Sequence, residues 1–427
     1  MLKKIEIKGL FNQFDYDIEL KPEGLTILTG PNGYGKTTIL KIIHAFATKN
    51  VTFFFQLPFK EIVLTQEQDE IRLLKGEVDI LEIRVGGKIL TFHKKAEFIP
   101  EYLKYLLEKW GLSQIKETLW RDQETKQVYR SEHLINQLID NNPEIQAKYY
   151  AEQQIPDWLD VYFIKEHRLI RRGAVFLRIR DSAEEISGSF SNIIEEAAQE
   201  LSKYIRDVQA KAAEISQTID SSFPRRLFDE TEVVSHDDFN TRYEGIKAKR
   251  KTLSLYGLAT TQPEDNHTLF KPENAKALLV YLNDTEQKSA IYNKLLQEIE
   301  LFTTILNEKQ LVSKCVQISP EFGFRFKTHD NQELPLTDLS SGEQHEVMLL
   351  YELLFKVKPN TLVLIDEPEL SLHVAWQRRF LDDLLKISEL RKVTTIVATH
   401  SPQIIGNKWD LEVDLYDLTM LTEEVSK

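Results

Sequence analysis

The residues with the most readable chemistry are Gly30-Pro31-Asn32-Gly33-Tyr34-Gly35-Lys36-Thr37-Thr38, spaced G-x-x-x-x-G-K-T. Glycines at these positions let successive backbone N–H groups turn inward onto phosphate oxygens, and a helix that follows aims its positive end at the same place. Lys36 can bridge the β- and γ-phosphates, and the Thr37 hydroxyl can ligate Mg²⁺. Gly30, Asn32, Gly33, Gly35, Lys36, Thr37 and Thr38 are therefore read as a cradle for Mg²⁺ and ATP or GTP.

Three further groups follow late in the chain. Leu339-Ser340-Ser341-Gly342-Glu343-Gln344 directly precedes a helical run, so Ser340, Ser341, Gly342 and Glu343 can face a second anion. The same residues also spell an ordinary capped helix start. Thr361-Leu362-Val363-Leu364-Ile365 reads as a buried parallel strand that delivers Asp366 and Glu367 at its C-terminal edge, where ligands of open α/β sheets bind. Asp366 suits the Mg²⁺ shell and Glu367 a general base for water. An acid pair after a buried strand is otherwise a helix N-cap. A second buried strand, Val393–Ala398, ends in Thr399-His400-Ser401-Pro402. From there His400 can touch the γ-phosphate or the attacking water. Lys36, Glu367 and His400 are the catalytic candidates.

These groups need strands and helices to bring them together. Lys4–Ile7, Asp15–Leu20 and Leu25–Thr29 read as strands, the last feeding the glycine loop, and Ile39-Leu40-Lys41-Ile42-Ile43 as the helix leaving it. Ile62–Thr65, Val78–Val85 and Ile89–His93 continue in strand, with Gly86-Gly87 as a hairpin turn. Phe53-Phe54-Phe55 is aromatic enough for a recognition surface, but better suits a buried strand edge or a loop anchor. Residues 100–157 are polar and helical in pattern, with Trp110 and Trp120 as packing residues, as is Trp158 just beyond. Val161-Tyr162-Phe163-Ile164 returns to buried strand. Ile194, Ala198, Leu201, Ile205, Val208, Ala212, Ile215 and Ile219 then alternate at spacings of four and three, the seam of a packed helix. Pro224 is expected to stop it. Further helices are expected over about 237–256 and 272–312, around the polar loop Thr260–His267.

Composition narrows the setting. The chain of 427 residues is 42% apolar and 28% charged, the make-up of a globular protein with ample core, and no stretch is long and apolar enough to span a bilayer. The single cysteine, Cys315, excludes an internal disulfide and a cysteine-built zinc site. With no signal-peptide pattern at the N-terminus, a cytoplasmic location is expected. A net charge of −13 argues against a nucleic-acid-coating surface but leaves room for local basic faces, such as Lys247–Lys251 or Arg168 with Arg171 and Arg172.

Taken in order, these motifs resemble the ABC-class ATPase head: phosphate loop, helical insertion, signature, acidic strand and switch histidine. The signature departs from the transporters' Leu-Ser-Gly-Gly-Gln at Ser341 and Glu343, a variant similar to that of the SMC/RecF and overcoming-lysogenisation-defect (OLD) branch. Asp366–His373 and Ala398–Pro402 look especially like the OLD-type ATPases. The resemblance covers roughly residues 1–48 and 316–410. It implies an α/β fold: an ABC-type P-loop head with a mixed sheet, parallel core plus antiparallel β-subdomain, and a helical or short coiled-coil insertion. The expected divisions are 1–182, 183–315 and 316–427. It also implies Mg²⁺ and ATP, slow hydrolysis, and two heads closing head-to-tail or in a higher ring, with Ser341–Gly342 of one capping the nucleotide on Lys36 of the other. Gln56 is the candidate for the glutamine that links Mg²⁺ to the arm, with Gln66 and Gln68 as competitors. Phe11 or Tyr16 is the candidate adenine-stacking aromatic, and Tyr34 replaces the small residue usual in the loop. OLD nucleases carry a TOPRIM domain after the histidine. Only 27 residues follow His400 here, so a nuclease effector is expected on a separate chain encoded nearby. The leading expectation is the sensor or scaffold ATPase of an anti-phage system. The alternative is a RecF-type repair ATPase whose DNA binding depends on ATP, with a transporter subunit a distant third.

Overall fold

The computed structural model describes residues 1–67, 69–76, 80–93, 101–116, 119–123, 125–131, 134, 158–164, 189–259, 270–309, 314–370, 372 and 374–419. Gln68, Arg168, Arg171, Arg172, the loop Thr260–His267, Ser371 and His373 lie outside them. By contact clustering the chain forms two compact units, one of residues 1–187 with 357–427, the other of residues 188–356. The second unit takes in the segment around Ser341, which the motif order groups with the C-terminal lobe.

In the first unit, β1 (Leu2–Leu10), β2 (Phe14–Glu19) and β3 (Leu25–Thr29) lead through the glycine loop into α1 (Lys36–Ala47) and the short α2 (Val51–Gln56). The phenylalanine triplet is thus helical and buries Phe54. After it come β4 (Glu61–Gln66), β5 (Glu70–Lys75), β6 (Ile80–Val85) and β7 (Lys88–His93). Gly86 and Gly87, at φ 53° and 75°, supply the left-handed pair that a two-residue hairpin turn requires. These strands form a six-stranded antiparallel sheet ordered β2-β1-β4-β5-β6-β7. Residues 100–130 depart from the helical expectation. After α3 (Glu101–Lys109), the strands β8 (Leu112–Lys116), β9 (Leu119–Asp122) and β10 (Val128–Arg130) make a small antiparallel sheet on which Trp120 is fully buried. The element β11 (Val161–Ile164) closes this part of the chain.

The second unit begins with α4 (Ser189–Asp229), followed by α5 (His236–Leu255), α6 (Ala275–Ala290) and α7 (Asn293–Lys309). Seam residues Ile194, Ala198, Leu201, Ile205, Ala212 and Ile219 are buried as the heptad spacing requires. Pro224 does not stop the helix, which continues to Asp229. Proline offers no N–H to the Asp220 carbonyl and ordinarily breaks a helix. Side chains here add bonds to the carbonyls of Thr218 and Ile219, and the helix end is fastened to its neighbour. Ser221 and Ser222 hydroxyls donate to Thr218, Ser222 also to Ile219, and the Arg226 guanidinium to Ile219. Arg226 also pairs with the buried Asp284 of α6. A three-stranded antiparallel sheet follows: β12 (Lys314–Ser319), β13 (Gly323–Thr328) and β14 (Glu333–Leu334). Gly323 (φ 74°) lets β13 lie directly on α4, since a β-carbon there would overlap the Ala198 carbonyl. The unit ends with α8 (Ser341–Tyr351) and one π-helical turn, Glu352–Lys356.

The chain then returns to the first unit with β15 (Leu362–Asp366), α9 (Val374–Gln377), α10 (Phe380–Arg391), β16 (Thr394–Ala398), α11 (Pro402–Ile405) and β17 (Glu412–Asp414). Its central sheet is parallel throughout, in the order β11-β15-β16-β3-β17. Every residue of β3 and β15 is buried, which is why both read as unbroken apolar runs. The fold is mixed α/β, with a parallel core sheet, antiparallel sheets and a helical segment inserted in sequence.

Candidate nucleotide site

Register brings the chemistry together. Leu28 of β3 pairs with Ala398 of β16, and Ala398 with Asp366 of β15, so three strand ends lie in one row. From that row emerge the glycine loop, Thr399-His400 and Asp366-Glu367. Parallel strands put all their C-terminal ends on one edge, and ligands bind there.

The loop adopts φ 129° at Gly30 and 89° at Gly33 and Gly35. A β-carbon on Gly35 would lie 3.0 Å from Leu10 Cδ2, so Gly35 is required for space as well as for its backbone. Lys36, 5% exposed, turns its ammonium back into the loop, donating to the carbonyls of Gly30 (2.8 Å) and Pro31 (3.3 Å). Its Nζ is 3.3 Å from His400 Nδ1, and His400 Nε2 is 3.8 Å from Glu367 Oε1. The Thr37 hydroxyl donates to Asp366 Oδ1 over 3.0 Å. Burial pulls the Lys36 ammonium below its ordinary pKa, against the opposing pull of Glu367, Asp366, Glu369 and Asp414. Glu367 has left-handed backbone, φ 43°, and its N–H donates to the Ala398 carbonyl over 2.9 Å.

Tyr34 uses its bulk to hold the loop. Its ring packs on Phe14 and Tyr416, at centroid distances of 5.0 and 5.9 Å, and its carbonyl accepts from the Tyr16 hydroxyl at 2.7 Å. Burial raises the Tyr16 phenol pKa. Of the two aromatic candidates, Tyr16 is therefore core, while Phe11 is 38% exposed with its ring against Gly35. Gln56 lies at the exposed end of α2 with no bond to Thr37 or Asp366 among the described residues, and Gln66 donates to the Trp158 carbonyl.

The Ser341 segment belongs to the second unit. Ser340 is the N-cap of α8, accepting from the Glu343 N–H (3.4 Å), while Glu343 Oε2 accepts from the Ser340 N–H (2.8 Å). That is the reciprocal capping box. Both Glu343 oxygens also accept from Lys314 of β12, at 2.7 and 2.9 Å. Burial pushes the Glu343 carboxyl up, but Lys314 and Ser340 outweigh it and hold it below its ordinary value. The Ser341 side chain is exposed and has no hydrogen-bond partner among the described residues. In the basic run on α5, Lys249 donates to Asn293.

The family described as AAA ATPase domain matches residues 1–405. The chain belongs to that family. No curated protein sequence matches this ATPase domain significantly. Among solved structures it is similar to the Smc head domain of Pyrococcus furiosus with an extended coiled coil, bound to the C-terminal domain of ScpA. That match has 15% identity, covers 100% of this chain and 99% of that one, and has a TM-score of 0.32. The SMC head domain of Thermotoga maritima matches at 12% identity over 95% and 90% of the two chains, again with a TM-score of 0.32.

The residues of the ATPase domain fit a magnesium nucleotide. The loop is a cradle that a β-carbon at Gly35 would fill, and it holds a buried ammonium on mere carbonyls. Beside it lie a hydroxyl and a carboxylate already in contact. No cluster of three or more acidic, histidine or cysteine ligands occurs among the described residues. Such a sparse donor set suits Mg²⁺, which keeps waters and takes phosphate oxygens alongside one or two protein groups. No role is read from the sequence for Glu369 and Thr399, which tie the Glu367 turn to the His400 strand, or for Gln377, which holds that turn from α9. Glu369 carried a signal in the repeated acid of Asp-Glu-Pro-Glu; the other two carried none.

Proposed function

We propose that this chain binds Mg²⁺ and ATP at the β3–α1 loop and hydrolyses the nucleotide slowly, working as a switch. The observation that supports this best is the single constellation of Lys36, Thr37–Asp366, Glu367 and His400 at one sheet edge. The loop N–H groups and Lys36 would hold the phosphates, and Thr37 and Asp366 the metal. Mg²⁺, when bound, supplies charge neutralisation on the phosphate oxygens. Glu367 takes the proton of the attacking water on its carboxylate, and His400 orients that water from the side of Lys36. The free Ser341 hydroxyl suits capping of a nucleotide held by a second copy, as in the head-to-tail pairs of ABC-type heads. Nothing in the loop suggests a guanine-reading site.

The biological setting we propose is an anti-phage system in the cytoplasm, in which this ATPase senses or scaffolds and a separate effector, a nuclease, executes. It rests on the OLD-like character of Asp366–His373 and Ala398–Pro402. Calorimetry with ATP tests the site: Lys36→Ala is expected to weaken binding roughly tenfold or more, the scale of a lost hydrogen bond to a charged group. Undiminished binding would show that the loop is not the phosphate site. Pull-down of ATP-held protein with its genetic neighbours tests the setting. A stoichiometric nuclease supports it; DNA with recombination factors instead favours the RecF-like reading.

A further inference from the structure

Glu369 is one of two acids near Lys36, with Asp414, to which the reaction assigns no task. It sits in the single turn Pro368–Leu370 that follows the left-handed backbone of Glu367. Its Oε1 accepts two hydrogen bonds from the tip of β16, from the buried Thr399 hydroxyl at 2.7 Å and from the His400 N–H at 2.9 Å. The turn is itself held from α9, where the Gln377 amide donates to the carbonyls of Glu369 and Leu372, each at 3.0 Å. Glu369 Oε2 is buried and has no hydrogen-bond partner among the described residues.

A buried carboxylate oxygen without a donor is costly, so a carboxylate kept here needs a compensating role. Its other oxygen gathers two donors that the end of the sheet would otherwise leave loose. The ladder stops at Ala398, and beyond it the Thr399 N–H on Leu28, the Ser401 N–H on the Thr399 hydroxyl and these two bonds to Glu369 direct the backbone. His400 is the first side chain past that anchor to face the site, and it lies within reach of both Lys36 and Glu367.

We propose that Glu369 is the positioning residue of His400, fixing the Thr399–His400 backbone so that the imidazole stands between Lys36 and Glu367. With Oε1 committed to two donors and Oε2 buried away from solvent, Glu369 is assigned to positioning and not to a second general base. This inference rests on the hydrolysis reading above only for its consequence; the positioning itself is a property of the nucleotide-free chain.

The test is therefore run first without nucleotide. The His400 imidazole resonances, assigned with His400→Ala, are compared in wild type, Glu369→Ala, Glu369→Gln and Thr399→Val by NMR. Glu369→Ala is expected to shift or broaden them. Glu369→Gln keeps a carbonyl oxygen for both donors and is expected to leave them near wild type. Thr399→Val removes one donor to Glu369, together with the acceptor of the Ser401 N–H, and is also expected to displace them, which serves if Glu369→Ala does not fold. Imidazole signals unmoved in Glu369→Ala, or in Thr399→Val when that variant has to serve, overturn the proposal. In ATP hydrolysis Glu369→Ala is expected to lose roughly tenfold or more, the scale of a misplaced group. On a His400→Ala background it is expected to lose nothing further, and additive losses also overturn the proposal. A protein that hydrolyses no ATP sinks the proposed function but leaves the imidazole comparison decisive.

Discussion

Glu367 combines two costs that a structural residue would shed: left-handed backbone at φ 43° and a proline immediately after it. A residue with a β-carbon gives up about 1–2 kcal/mol in that conformation. Strain of this kind gathers where a side chain must point somewhere particular. Glu367→Gly is accordingly expected to raise stability by about 1 kcal/mol while abolishing hydrolysis, and Glu367→Gln to keep ATP binding while slowing hydrolysis on the order of 10²-fold. Denaturation midpoints and phosphate release under matched conditions measure both. Wild-type hydrolysis in Glu367→Gln would remove the base assignment. At this scale the sequence was highly legible, because a glycine loop and an acid at a strand end announce themselves by type and spacing. The supporting bonds of Glu369 and Thr399 did not, since they depend on which strands are neighbours, nor did those of Gln377, which depend on how the chain turns after Glu369.

At the scale of elements, the Glu343–Lys314 contact joins α8 to β12 through a capping box, and it makes the second unit sensitive to acid. Folding holds the Glu343 carboxyl below its ordinary 4.5, so the folded state binds fewer protons than the unfolded one in that window. The stabilisation is complete above pH 4.5 and is lost as pH falls through the folded value. Lys314→Met is expected to lower the thermal midpoint at neutral pH and to flatten its fall between about pH 5 and 3. A pH profile parallel to wild type would mean that Lys314 does not set the Glu343 proton. Strongly periodic elements were readable here, as the buried seam of α4 shows. The strands β8 to β10 were not. They span only five, four and three residues, too short for alternation to stand out against a helical period. Pro224 misled for the opposite reason: a strong local rule was overridden by the packing of the helix end, where Arg226 pairs with the buried Asp284 of α6.

At the scale of the whole chain, no helix among the described residues is long and apolar enough to cross a membrane. Self-association is the assembly that the proposed function predicts. The exposed Ser341 and the phosphate loop are each half of the site expected between paired heads. With ATP, Glu367→Gln is expected to shift from one chain to two or more by light scattering, and Lys36→Ala to remain single. A single species for Glu367→Gln in ATP would argue for a head that works alone. The two-unit division was the least legible feature of all, because membership of a compact unit is a sum over contacts and leaves no motif. The root of α4 is held by the bare backbone contact at Gly323, and its ladder lacks a rung at Pro224. On either side of that missing rung α6 acts as a splint: Lys288 pairs with Asp220 before it, and after it Arg226 pairs with the buried Asp284 and the Lys276 ammonium donates to the Phe228 carbonyl.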